Sequence, residues 1–235
     1  MKTTKFISIA VVALFFVFIG IASRAKADAV TYDFSGAVSG GPVAGTLTFI
    51  LSGANTLTIH LTDTEGNPTD VGQLISDLSF TVTGMTGPST LTSSAGQEES
   101  IARTGLPTLG AMGDTLWGIH SNGSAVTLSA LVSGPSNLII GPGTPGGMYT
   151  NANGSIAGNP AHNPYLTGMV SFQLSIPGLT SASQLSDILV SFGTSPGSFL
   201  RVTSAGTAPE PSSLFLLGTG LLGLAFGMRR RWLPS

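Results

Sequence analysis

Apolar and polar side chains alternate along much of the chain with the two-residue period of a strand. Between Thr56 and Thr62, Leu57, Ile59 and Leu61 alternate with Thr58 and His60. Further on, Val170, Phe172, Leu174 and Ile176 alternate with Ser171, Gln173 and Ser175. Such a segment buries one face and wets the other, the habit of antiparallel sheets. Further strands are predicted at Val30 to Val38, Val43 to Leu51, Leu78 to Thr83, Thr115 to His120 and Ala125 to Val132. Asn137 to Ile140, Ile188 to Phe192 and Phe199 to Thr203 complete the set.

Asn122-Gly123 between two of these runs is a hairpin signal. No long amphipathic helix is visible. The pattern predicts an all-β body at 28–207, an antiparallel β-sandwich or jelly-roll-like domain. Gln73 to Phe80 and Gln184 to Phe192 echo each other with a one-residue shift, each reading as a capped turn that launches a buried strand. A single shifted echo does not establish duplication.

The two ends follow a different pattern. Lys2 and Lys5 precede an apolar run from Phe6 to Ile21, and Ala25-Lys26-Ala27 supplies small residues at the spacing signal peptidase reads. Residues 1–27 are thus expected to be a secretory signal peptide exported by the Sec machinery, with Ala25 and Ala27 at the cleavage site and Asp28 as the new N-terminus. An uncleaved anchor is the alternative.

At the other end Pro209-Glu210-Pro211 is followed by Ser212-Ser213, then an apolar, Gly-spaced stretch at 214–228 and Arg229, Arg230 and Arg231. The stretch is expected to form a C-terminal hydrophobic helix and a marginal transmembrane segment, about fifteen residues against the roughly 20 of an ordinary span. The three arginines would act as a membrane stop on the cytoplasmic side.

Tripeptide, apolar run and arginine cluster, at 208–232, resemble the PEP-CTERM sorting signal of exopolysaccharide-producing Gram-negative bacteria. The resemblance implies that a membrane-embedded exosortase recognises Pro209, Glu210 and Pro211. It also implies that the inner membrane holds the tail only transiently, and that the protein is delivered to the cell surface or the extracellular biofilm matrix. A plain C-terminal anchor is the alternative.

Composition narrows what the body can do. Gly and Pro number 32 and 14 in 235 residues, and charged residues are 9% of the chain, so a turn-rich, weakly charged domain is expected. There is no Cys, which excludes disulfides and thiolate chemistry. Seven of the nine basic residues lie in the two end segments, leaving Arg103 and Arg201 against ten carboxylates in a body of charge about −8. A nucleic-acid partner needs a basic footprint that this body lacks.

Candidate chemistry is sparse. Gly193-Thr194-Ser195-Pro196-Gly197 has the spacing of a hydrolase nucleophile elbow, but Pro196 lacks the N–H that the oxyanion requires and no His follows. A turn is expected there. His60, His120 and His162 form no ligand spacing, so no metal site is predicted from them. Asp63, Glu65 and Asp70 crowd one loop with the oxygen density of a calcium site, although Gly66 stands one position early and Pro68 intrudes. A polar turn is expected, with calcium as the alternative and otherwise no cofactor.

Glu98 and Glu99 are sequence neighbours on opposite sides of a strand and do not make the carboxyl pair of a glycosidase. No catalytic residue is assigned. The Gly-, Pro- and Asn-rich segment 141–168 is the expected place for a ligand loop, carrying Tyr149, His162 and Tyr165; an inert ordered connection is the other reading.

The function expected is therefore a non-enzymatic structural or glycan-binding component that touches exopolysaccharide. Trp117, Tyr149 and Tyr165 are the rings available to stack on sugars, although Leu116 and Ile119 beside Trp117 argue for a core position. The alternatives are an extracellular enzyme acting on polysaccharide, and an ice- or crystal-surface binder suggested by Thr46, Thr48, Thr56 and Thr58.

Overall fold

The computed structural model describes residues 29–203 apart from Pro196. The expected signal peptide 1–27, its expected cleavage site at Ala25, Ala27 and Asp28, and the sorting tail with its apolar segment 214–228 lie outside the described residues.

Twelve strands make up the body: β1 (Ala29–Val38), β2 (Gly41–Gly53), β3 (Thr56–Asp63), β4 (Ile75–Val82), β5 (Thr90–Ile101) and β6 (Pro107–Gly113), then β7 (Gly118–Asn122), β8 (Ala125–Ser129), β9 (Ile139–Ile140), β10 (Tyr165–Ser175), β11 (Leu185–Phe192) and β12 (Phe199–Arg201). Two short 3₁₀ turns, Val71–Gln73 and Ala130–Val132, are the helical elements among the described residues. The all-β expectation holds.

Hydrogen bonding joins all twelve strands into one mixed sheet of order β1-β2-β3-β10-β9-β4-β11-β12, with β5 and β6 added at β10, and β8 and β7 at β4. β9 and β10 are the parallel pair. The bonding therefore does not divide the strands into the two separate sheets of the expected sandwich.

The two strongest alternating segments lie side by side. Leu61, Ile59 and Leu57 of β3 face Val170, Phe172 and Leu174 of β10 in antiparallel register, and all six are buried. The echoing segments are also neighbours, with Leu78 of β4 opposite Val190 of β11.

Through the short β9 the sheet folds back on itself, so that two sets of strands share one core. Phe49 of β2 meets Phe80 of β4 edge-on at 5.2 Å between ring centres. Phe34 of β1 meets Phe192 of β11 at 6.4 Å, and Trp117 leans on Phe172 at 5.0 Å. Edge-to-face pairs of this kind add about 0.5–1.5 kcal/mol each beyond the area they bury. Trp117 is in the core as its neighbours suggest, and its indole N–H donates to the Asn137 carbonyl at 2.8 Å.

One end of the molecule gathers the long connections. β1 and β3 finish there, and β4, β10 and β12 begin there. Backbone bonds knit the segments together: Asn153 N–H donates to Thr69 O at 2.8 Å, and Gly193 N–H to Leu74 O at 2.8 Å. The Gln73 side chain donates to Pro42 O at 2.8 Å. A second, smaller core of Val71, Leu74, Ile101, Leu138, Ile140, Tyr149, Ile156, Ala157 and Tyr165 lies under the connection from β9 to β10. The Gly- and Asn-rich segment is thus an ordered, anchored connection.

The ends of the sheet path, β1 and β12, approach without hydrogen-bonded pairing, with Leu200 of β12 packed against Gly36 of β1. The sheet stays open along this seam.

Candidate functional site

Where the seam reaches the end that gathers the connections, it opens into a cleft of about 570 Å³. Ala37, Val38 and Ser39 form one wall as β1 runs out into its turn. Asp70, Val71 and Gly72 form the floor at the first 3₁₀ turn. Residues 192–195 and 197–199 form the other wall, bringing Thr194, Ser195 and Ser198 to the cleft. Its volume falls within the roughly 300–1,000 Å³ usual for small-ligand sites.

Local sequence explains the floor. Asp70 caps the 3₁₀ turn with its Oδ1 accepting the Gly72 N–H at 2.8 Å, while Gln73 Oε1 reaches back to the Asp70 N–H at 3.1 Å. This reciprocal capping box fixes the carboxyl. On the far side, Asp70 Oδ2 accepts from Asn153 Nδ2 at 2.7 Å and from Ser155 Oγ at 3.3 Å.

Partial burial works to raise the Asp70 pKa, but the donors Gly72, Asn153 and Ser155 and the nearby His162 outweigh it and hold the carboxyl below its ordinary value. The group is an anion at neutral pH. A carboxylate has about four acceptor positions, and these three donors leave one open, on Oδ1 beside the Gly72 N–H.

The remaining lining is neutral. Three serines and a threonine supply hydroxyls, and Phe199 presents a ring that is 52% exposed. Asp70 is the one charged residue among the described residues that line the cleft.

Ser195 lies here within the elbow-like pentapeptide, at the mouth of a turn whose flanking Gly193 and Gly197 take φ of +78° and +101°. No imidazole lines the cleft. His162, the nearest candidate base, holds its Nδ1 2.6 Å from the Ser155 carbonyl.

The residues assigned to a ligand loop sit elsewhere. Tyr149 and Tyr165 are buried at 2% and 0% exposure, with hydroxyls engaged inside the protein. Tyr165 Oη donates to the Ile156 carbonyl at 3.1 Å. Tyr149 Oη lies 2.7 Å from Glu99 Oε2 and 3.0 Å from the Gly141 carbonyl. Burial pushes both phenols well above their ordinary pKa, and Glu99 adds to the rise at Tyr149. With Trp117 also buried, the three rings expected to stack on a sugar are core residues, and His162 is half-buried.

The three acids of the candidate calcium loop also part company. Asp63 is buried, with Oδ1 accepting the Glu65 N–H at 2.9 Å, while Asp70 turns to the cleft. Asp63 Oδ2 has no partner, and burial, reinforced by the nearby Glu65 charge, raises its pKa well above the ordinary value against the lowering pull of the Glu65 and Gly141 N–H groups. Among the described residues no group of three His, Cys, Asp or Glu side chains is placed to hold a metal ion.

Thr46, Thr48 and Thr58 lie on the outer face of the sheet, where Thr48 shares a 2.9 Å hydroxyl contact with Thr31 of β1. His60 stands between Thr48 and Ser171 on that face, and His120 is exposed on β7.

The sequence reasoning missed the cleft. Asp70 and Ser195 were each visible as candidates for other chemistry, but nothing in their spacing of more than a hundred residues signals that they meet.

A β body followed by a sorting motif defines a class of exported protein sorted through its tail. Residues 207–231 match the PEP-CTERM protein-sorting motif, which makes exosortase the processing partner of this chain. No curated protein and no solved structure matches the chain significantly. The motif speaks for the tail, and the body must be read from its own geometry.

Proposed function

We propose that the mature body is a non-enzymatic component of the cell surface or biofilm matrix that binds glycan. The sorting motif at 207–231 carries the reading, since a body delivered to the cell surface would meet the polysaccharide of the envelope. The cleft supports binding over turnover. Hydrolysis of a glycosidic bond takes two carboxyl groups across the substrate, and the described lining offers Asp70 alone. Acyl transfer from Ser195 would need a base beside it, and His162 is held by a backbone carbonyl.

Two measurements test this reading. Intact mass of the protein from the host surface and medium should give a chain that starts at Asp28 and ends near Pro209 to Pro211, and only when the exosortase is present. A chain ending at Ser235 in both strains overturns the sorting half. The exported body should also be retained on its host's matrix polysaccharide; passage straight through, with no retention, leaves a structural role.

A further inference from the structure

We propose that the seam cleft between β1 and β12 is the saccharide site, built for an uncharged sugar. The inference rests on the glycan-binding reading and names its site and ligand class.

The chemistry of the lining selects the ligand. A sugar offers hydroxyls that both donate and accept, and an apolar face of C–H groups. The free acceptor position of Asp70 takes a sugar O–H in a charge-assisted bond, stronger than a neutral one. Ser39, Thr194, Ser195 and Ser198 donate and accept around it. The exposed Phe199 ring gives the C–H face a surface to pack on.

Charge excludes the competitors. A uronate, phosphate or sulfate ester would meet the Asp70 carboxylate with no cation in the described lining to offset it. The two basic side chains of the body are Arg103 and Arg201. Arg201 is paired with Asp187 at 3.0 Å, and neither lines the cleft. An anionic ligand would have to desolvate beside a like charge, which costs binding energy with nothing in return.

The test is calorimetry on the exported chain with neutral hexose oligomers (glucan, mannan and galactan hexasaccharides) and with hexauronates, run on wild type, Phe199→Ala, Ser195→Trp and Asp70→Asn. Phe199 and Ser195 are exposed, so those variants should keep the wild-type thermal midpoint. The expected result is binding of at least one neutral oligomer, no binding of the uronates, and about tenfold or greater loss in each variant.

Equal affinity in Phe199→Ala and Ser195→Trp would move the site elsewhere while leaving glycan binding in place. Preference for a hexauronate would overturn the ligand class. If wild type binds none of these probes and no host matrix polysaccharide, the glycan reading and the cleft fall together.

Discussion

Tyr149 Oη approaches Glu99 Oε2 to 2.7 Å, and this contact ties the β9–β10 connection to β5 across a buried interface. Glu99 is 7% exposed and Tyr149 2%, so neither can turn to water for a replacement. Removing the hydroxyl strands a buried carboxyl, which costs about 1–3 kcal/mol. Tyr149→Phe should therefore lower the free energy of unfolding by that amount in urea titration. Adding Glu99→Leu to Tyr149→Phe should recover part of the loss, because both polar partners are then gone. A Tyr149→Phe variant as stable as wild type would mean the hydroxyl does not hold this connection.

Phe34 and Gly45 make a second such pair, directly opposite each other in β1 and β2. The Phe34 ring covers the glycine so closely that a Cβ there would fall inside the ring and 2.6 Å from the Thr62 carbonyl oxygen. Gly45→Ala should cost about 1–3 kcal/mol through overpacking. Gly53→Ala on the same strand meets open space and should change stability by less than about 1 kcal/mol. Thermal midpoints of the two variants, measured together, check the contrast.

The indole of Trp117 supports a spectroscopic prediction. The chain's other tryptophan is Trp232, which lies beyond the sorting motif's last matched residue. Once the tail is removed, Trp117 is the single indole of the protein. Its 4% exposure and its bond to the Asn137 carbonyl predict blue-shifted emission, poorly quenched by iodide, which shifts red on unfolding. Trp117→Phe should destabilise by about 1–3 kcal/mol, since the Asn137 carbonyl loses its donor in a buried setting.

Which parts of this architecture were legible follows from how burial is distributed. β3 and β10 were readable because each buries one face completely and wets the other, and Asn122-Gly123 marked a real hairpin whose two-residue loop is Gly123-Ser124, one position later. β5 and β6 were not. Thr90 to Ile101 is rich in Ser, Thr and Glu, and its most buried positions are Gly96, Glu99 and Ile101, so no apolar alternation announces it.

β6 is an edge strand with Leu109 and Met112 more than 60% exposed and two glycines, a composition that reads as a loop. The segment from 141 to 164 has no period at all, because single apolar anchors such as Tyr149 and Ile156 fix it at irregular spacing. The cleft was hidden for a different reason. It exists only where the open ends of a folded sheet bring residues 37–39, 70–72, 192–195 and 197–199 together, and no local pattern encodes that meeting.

Asp63 gives the body a pH dependence whose sign can be worked out. Burial raises its pKa in the folded state well above the ordinary value of 3.8, which the unfolded chain retains. Below that value both states carry the proton, and the group contributes no difference. As pH rises above it, the unfolded chain releases the proton while the folded chain holds it, so folding stability falls until the folded pKa is passed. Asp70 acts in the opposite sense, since its lowered pKa adds stability that is lost only as the medium becomes acid.

Asp63→Asn removes the first effect and keeps an acceptor for the Glu65 N–H. The variant should be more stable than wild type at pH 7 by on the order of 1 kcal/mol or more, with the gap closing toward pH 3. Urea midpoints at pH 3, 5 and 7 for the two proteins decide it. A gap that is constant across the range would show that Asp63 titrates alike in the folded and unfolded chains, so that burial does not raise its pKa.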